Sequence, residues 1–277
     1  MSKKMLSFYS LKYNPFCQEV PVSALYVTAP VEHFCWRIEQ QLGEGGFALV
    51  SGVPGSGKST TLRILAERLG NRCDLTVGIL TRPQAFVADF YRELGELFGV
   101  SLTPHNRWSG SKVLRQRWIA HMDSALCRPV LLVDEAQAMS PAALCELRML
   151  SSDKLDSRSI LTVVLCGDER LVKKLQGDDL LPVASRIRCR LRLVPSEAKT
   201  LRECLCNHLR MAGNPGLMSE QVITALCEHA VGNVRALMNM ANDLLAAAMH
   251  EQAPLIDEKL FFKVFDMRAD ASARRSV

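Results

Sequence analysis

Gly46-Phe-Ala-Leu-Val-Ser-Gly52-Val53-Pro54-Gly55-Ser56-Gly57-Lys58-Ser59-Thr60 is the stretch on which the reading of this chain turns. A short apolar run, 46–52, enters a glycine loop. TTLRILAERLG (60–70) leaves it with helical spacing and a terminal glycine. The pattern G-x-x-x-x-G-K-[ST] between a strand and a helix is a phosphate cradle, because glycines let successive backbone N–H groups turn inward around an anion. Lys58 is expected to reach the β- and γ-phosphates, Ser59 to ligate Mg2+, and the following helix to present its positive end. Val53, Pro54, Gly55, Ser56, Gly57, Lys58, Ser59 and Thr60 are therefore the expected nucleotide contacts. The alternative is a glycine turn that meets no phosphate.

Outward from the cradle, Val130-Leu-Leu-Val-Asp134-Glu135 reads as a buried strand delivering two carboxylates to its C-terminal end, the edge where α/β sheets bind ligands. Asp134 is expected to hold Mg2+ through water, and Glu135 to orient or deprotonate the attacking water. A solvated acidic turn is the alternative for the pair in isolation. Asp-Glu, rather than Asp followed by an apolar residue, points to hydrolysis rather than transfer to a small substrate. A kinase must exclude water and seldom wants a base placed for it.

DLTVGILT (74–81) and SILTVVLCG (159–167) read as further strands, with helices over 84–98 and 113–126 and near 141–151. SLTPHNRWSGSK (101–112) reads as a loop. Strands alternating with helices predict a three-layer α/β fold, a parallel sheet covered on both faces. Over 186–194, arginines alternate with apolar residues, which a doubly buried strand cannot carry and an edge strand can. From Ser196 onward only helical patterns occur. The expected divisions are an N-terminal segment 1–45, an α/β core 46–195, a helical region 196–266 and a basic, flexible tail 267–277.

Composition sets outer bounds. The chain has 277 residues, 48% hydrophobic and 23% charged, with 34 Lys plus Arg against 29 Asp plus Glu and a net charge of +5. That excludes wholesale disorder, collagen and coiled-coil arrays. No apolar run reaches the roughly 20 residues of a membrane span, and the N-terminus lacks the apolar core of a secretory signal, so a cytoplasmic location is expected. Ten cysteines form no C-x-x-C pair. Cys204, Cys206 and His208, with Cys227 and His229, are a possible zinc set, against the alternative of buried reduced thiols.

On these motifs the chain resembles an AAA+ ATPase of the ExeA/GspA-like group, which shares its architecture with transposition helpers of the TnsC/TniB type. Phe8-Tyr-Ser-Leu-Lys-Tyr-Asn14-Pro15-Phe16 and Ala24-Leu25-Tyr26 are similar to the group's N-terminal signature. That likeness implies an adenine-covering role for Asn14, Pro15, Phe16 and Tyr26. The glycine loop and LLVDEAQ match Walker A and Walker B. Leu165-Cys-Gly167-Asp168-Glu-Arg-Leu171 resembles the segment after the sensor-one strand, with Asp168 at the sensor-one position, where an amide or hydroxyl is more usual. A carboxylate there repels the γ-phosphate unless metal, water or an arginine partners it. Ala184-Ser185-Arg186-Ile187 resembles the element whose arginine serves a neighbouring subunit's site, a contribution worth about 10³–10⁵ in rate in such enzymes. That makes Arg186 the first choice for this role and Arg188 the second, unless both only solvate an edge strand. Gly232-Asn-Val-Arg235 resembles sensor two at the start of a lid helix, implying that Arg235 acts on the γ-phosphate.

The resemblance also implies partners. Secretion-linked members carry a membrane span and a periplasmic domain beyond the ATPase, whereas transposition helpers, like this chain, stop soon after the lid. The expected function is therefore ATP-dependent, sequence-tolerant binding of duplex DNA by an oligomer, ring or filament, that recruits or activates a transposase. Residues 101–130 carry Arg107, Lys112, Arg115, Arg117 and Arg128 against Asp123. By analogy with DNA-binding relatives, His105, Asn106, Arg107, Trp108, Ser111 and Lys112 are the expected DNA contacts, reading phosphate rather than bases. A solvated basic loop is the alternative. The tail 268–277 is the expected contact for a transposase or targeting adaptor. Two rival functions stand beside this one: an ATPase component of a secretion or envelope system, and a nucleotide switch that does not hydrolyse.

Overall fold

The computed structural model describes residues 3–81, 83, 87–100, 107–124, 127–154 and 156–273, without the side chains of 107–109 and 266–273. In chain order the elements are α1 (Lys3–Phe8), α2 (Ala29–Gln41), β1 (Gly46–Gly52), α3 (Lys58–Gly70), β2 (Leu75–Leu80), α4 (Val87–Leu97), α5 (Arg107–Ser124), β3 (Arg128–Val133), α6 (Pro141–Ser151), β4 (Ser152–Asp153), β5 (Arg158–Ser159), β6 (Thr162–Gly167), α7 (Glu169–Leu175), α8 (Leu181–Ala184), β7 (Ile187–Leu193), α9 (Ala198–Ala212), α10 (Glu220–His229), α11 (Val234–Glu251) and α12 (Glu258–Ala273).

Contacts divide the chain into two units. The first to consider, residues 29–54 and 58–194, holds a five-stranded parallel sheet in the order β2-β3-β6-β1-β7. Strands β1 and β6 are buried on both faces. Alternate residues Phe47, Leu49, Leu131, Val133, Val163 and Leu165 enter one core with Phe90, Leu94, Leu114, Trp118 and Leu147 from the helices. Ala48, Val50, Leu132 and Val164, of opposite parity, are buried as well. The period of two along each strand therefore serves two helical layers at once. β7 sits at the edge and pairs only with β1 among the described strands, and its burial alternates as the arginine pattern predicts.

One local expectation is corrected. The loop read over 101–112 gives way to helix from Arg107 onward. Gly110, Leu114, Trp118 and Met122 recur every fourth residue and are all buried. That stripe outweighs the Ser and Gly punctuation around Arg107–Lys112, because tertiary burial overrides weak local propensity.

The second unit comprises residues 1–28, 55–57 and 195–277. Its core joins Leu201, Leu205, Leu209, Leu226, Leu237, Leu244 and Leu245 from α9, α10 and α11 with Met5, Tyr9, Leu11 and Phe16 from the N-terminal stretch. The expected single segment 1–45 falls into two parts. Here residues 1–28 belong with the helices and 29–45 with the sheet, because the apolar residues of the former insert into the helical core. The last helix continues to Ala273, into the stretch read as tail; residues 274–277 lie outside the described residues. Among the described residues no helix is long and apolar enough to cross a membrane.

Candidate functional site

In the sheet unit, β1, β6 and β3 are adjacent, so their C-terminal ends share one edge. The chain leaves β1 at Gly52 and re-enters helix at Lys58, the first residue of α3. Lys58 is buried. Its Nζ donates to the carbonyl oxygens of Gly52 and Val53, 3.1 Å each. Two backbone acceptors thus hold the ammonium at the strand end. Ser59 is exposed on the first turn, Thr60 is half-buried, and Val53 and Pro54 are exposed.

Beyond β3, Asp134 Oδ1 accepts the Glu135 N–H at 2.9 Å. Glu135 has a left-handed backbone, φ +52°, ψ +37°, and is exposed. A non-glycine residue there stores about 1 kcal/mol of strain, which persists only where surroundings fix it. They do so through residues the sequence reading passed over. A 3-10 turn, Ala136–Ala138, follows Glu135. Lys174 Nζ, from α7, donates to the carbonyls of Gln137 and Met139, 2.7 Å each. Gln137 Nε2 donates to Glu135 Oε2, and Gln137 Oε1 accepts the Asp168 N–H at 3.3 Å. Asp168 caps α7: its Oδ1 accepts the Arg170 N–H at 2.9 Å, and Oδ2 accepts Arg170 Nε at 2.8 Å. The guanidinium of Arg170 keeps the Asp168 carboxyl below its usual range. Asp168 therefore has an arginine partner. Burial, helped by the nearby Asp134 carboxylate, pushes the Cys166 thiol up, so this cysteine is inert at neutral pH.

Arg186 and Arg188 both have partners in this unit. Arg186 pairs with Asp156 and donates to Pro182 O at 2.7 Å. Asp156 is held below the usual carboxylate range, first by the Ser152 hydroxyl and also by Arg186. Arg188 Nη1 lies 2.6 Å from Glu44 Oε2. Of the expected DNA contacts, Ser111 and exposed Lys112 lie in the second turn of α5. His105 and Asn106 lie outside the described residues, as do the side chains of Arg107 and Trp108.

In the helical unit, Asn14-Pro15-Phe16 is pinned from three sides. Asn14 Nδ2 donates to Asn242 Oδ1 at 2.9 Å, the Phe16 N–H to Asn14 Oδ1 at 3.0 Å, and His208 Nδ1 to Pro15 O at 2.7 Å. Burial depresses the His208 pKa, so the ring is neutral and donates through Nδ1. Tyr26 OH donates to Glu203 Oε2 at 2.6 Å, and that bond raises its pKa. Arg235 is exposed at the start of α11, which Asn233 caps by accepting the Ala236 N–H. The Arg235 N–H donates to Gly55 O at 3.3 Å. Gly55 has φ +82°, and a Cβ there would lie 2.2 Å from Asn233 Oδ1, so only glycine fits. Ser56 Oγ is buried without a hydrogen-bond partner. The zinc set does not assemble: among the described residues no group of three or more such side chains could hold a metal ion. His208 and His229 give Nδ1 to the Pro15 and Ala225 carbonyls, and burial pushes the Cys204 thiol up to about 12.

General secretion pathway protein A of Aeromonas hydrophila is 28% identical over 211 residues, covering 74% of this chain but only 38% of that protein. The chain thus spans little more than a third of this relative. The Aeropyrum pernix ORC2 protein, solved as ADPNP-ADP complexes, superposes with a TM-score of 0.73 at 14% identity, over 92% of this chain and 71% of that one. Drosophila ORC bound to DNA superposes with a TM-score of 0.73 at 17% identity, over 99% of this chain and 68% of that one. At such identities these structures establish the shared fold, a parallel P-loop sheet with C-terminal helices. The AAA domain family matches residues 37–175, from within α2 to the end of α7, and takes in the glycine loop and both acidic strand ends. The chain belongs to the AAA domain family.

Proposed function

We propose that the protein is a Mg2+-dependent ATPase that assembles on duplex DNA in its ATP state and marks the site for a transposase. The observation that carries the ATPase reading is the convergence of the glycine loop and the Asp134–Glu135 pair on one edge of the sheet, with β6 between them. The residues fit a phosphate: Lys58 is held at the mouth of the loop, and the orphaned Ser56 hydroxyl gains a partner from a phosphate oxygen. They also fit Mg2+, for the Ser59 hydroxyl and one carboxylate, Asp134, are the sparse oxygen set this ion takes when phosphates supply the rest. Held by Ser59 and Asp134, Mg2+ would supply charge neutralisation for the phosphates. Glu135 orients the attacking water and takes its proton as the oxygen bonds to the γ-phosphorus and ADP departs. Asn14, Pro15, Phe16 and Tyr26 on the adenine and Arg235 on the γ-phosphate rest on the family resemblance.

A neighbouring copy's Arg186 completes the site in this reading, which requires exchange of its pair with Asp156 for the incoming phosphate. ATP then favours assembly, and hydrolysis reverses it. Lys112, Ser111 and the neighbouring 105–108 are the proposed phosphate contacts, with support from the fold shared with DNA-bound Drosophila ORC. The 28% identical secretion-pathway relative favours a second reading, an ATPase that acts on a protein of an envelope system. DNA binding measured with ATP, ADP and no nucleotide at two salt concentrations separates the two. The first reading expects ATP-dependent, salt-sensitive binding and DNA-stimulated turnover. Turnover that DNA neither stimulates nor requires for assembly would favour the second.

A further inference from the structure

Glu135 is exposed, and its side chain has three rotatable bonds, so chain geometry alone does not aim its carboxylate. Resting on the ATPase reading above, we propose that Gln137 is a positioning residue that aims the Glu135 carboxylate at the attacking water and ties it to the end of β6. Two contacts fix the carboxamide, and a third holds its main chain. Its Oε1 accepts the Asp168 N–H at 3.3 Å. A backbone N–H can only donate, so the orientation of the amide is determined, and Nε2 must be the atom that faces Glu135 Oε2. The backbone of Gln137 is anchored in turn by Lys174 Nζ, 2.7 Å from its carbonyl and 2.7 Å from that of Met139.

The space for the amide is also built in. A Cβ at Gly167 would lie 2.5 Å from Gln137 Oε1 and 2.8 Å from Leu171 Cδ2. The missing side chain at the last residue of β6 is what admits the carboxamide between the two strand ends. With Oε2 engaged, Glu135 presents Oε1 to the water. Asp168 takes part through its main chain, while its carboxylate caps α7 and pairs with Arg170. Gln137 thus joins three segments: the β3 end through Glu135, the β6 end through Asp168, and α7 through Lys174. The water-activating group consequently moves with the end of the neighbouring strand.

The test uses Gln137→Ala and Gln137→Met, the latter keeping length without either polar atom, each alone and combined with Glu135→Gln. Steady-state kcat and KM for Mg-ATP are measured beside the Kd of a fluorescent ADP analogue and the thermal midpoint. The expected result is a kcat about 10- to 100-fold lower with KM and Kd within twofold, as for a misaimed reacting group. In the Glu135→Gln background, loss of Gln137 changes single-turnover rates less than twofold, because both act through one carboxylate. A kcat within twofold of wild type in either foldable single variant overturns the proposal. So does a parallel loss of Kd and kcat, or a full additional loss in the Glu135→Gln background. If the wild type binds nucleotide without turning it over, the ATPase reading itself fails and this inference with it. Wild-type turnover that survives loss of Gln137 removes the inference alone.

Discussion

After β1 the chain is shaped by what its residues lack. The loop turns on Gly55, whose absent Cβ leaves room for Asn233, and Lys58 is held by two main-chain carbonyls. After β3 the chain is shaped by what its residues carry. A strained Glu135, the Gln137 carboxamide, the Lys174 ammonium and the Asp168–Arg170 pair hold one another through side chains from three segments. The first construction suits a ligand that stays anionic throughout a reaction, since a glycine loop and one fixed ammonium need no re-aiming. The second suits a group that must be aimed. The two ends should therefore fail differently: the β1 loop when an atom is added, the β3 end when one is removed.

Gly55→Ala probes the first. The added methyl meets the Asn233 cap of α11 and forces a left-handed alanine. Left-handed strain of about 1 kcal/mol and a weakened cap of about 1 kcal/mol predict a stability loss near 2 kcal/mol. Nucleotide affinity should fall at least tenfold, since the loop must re-form around the methyl. Chemical denaturation and nucleotide titration check both, and an unchanged variant would erase the distinction drawn here. Gln137 is the counterpart at the second end, where removing side-chain atoms should cost turnover and spare affinity.

A smaller effect sharpens the contrast between the sheet ends and the helical unit. Burial lowers the folded-state pKa of His208 from its ordinary 6.5. Below pH 6.5 the unfolded chain takes up a proton that the folded chain refuses, so stability falls as pH drops, by at most about 1.4 kcal/mol per pH unit, and is unaffected above. His208→Asn keeps a donor for Pro15 O and cannot titrate. Its stability between pH 5.5 and 7.5 should vary less than that of wild type. Equal slopes would mean that folding does not lower the His208 pKa.

The strand–loop–helix beginning at β1 was legible because its pattern is local: glycines and a lysine at fixed spacing on one short segment. The β7 edge was legible because alternation in sequence is alternation in space. The surroundings of Glu135 were not, although LLVDEAQ contains Gln137. Its partners come from residues 168 and 174, more than 30 positions on, and no spacing rule joins an amide to a backbone N–H at the end of another strand. Nor was the docking of the first 28 residues legible. It rests on pairs such as Asn14 with Asn242 and the Tyr9 hydroxyl with the Ala253 carbonyl, which only the completed fold brings together. The start of α5 was misread because a four-residue burial stripe lies under residues that resemble a loop.

The most direct measurement is nucleotide affinity, by fluorescent-ATP titration with Mg2+, for Lys58→Ala and Glu135→Gln alongside their ATP turnover. The account predicts that Lys58→Ala loses affinity by about 100-fold or more, whereas Glu135→Gln binds as wild type does and loses turnover by about 10²–10⁴-fold. Undiminished affinity in Lys58→Ala, or undiminished turnover in Glu135→Gln, would contradict it.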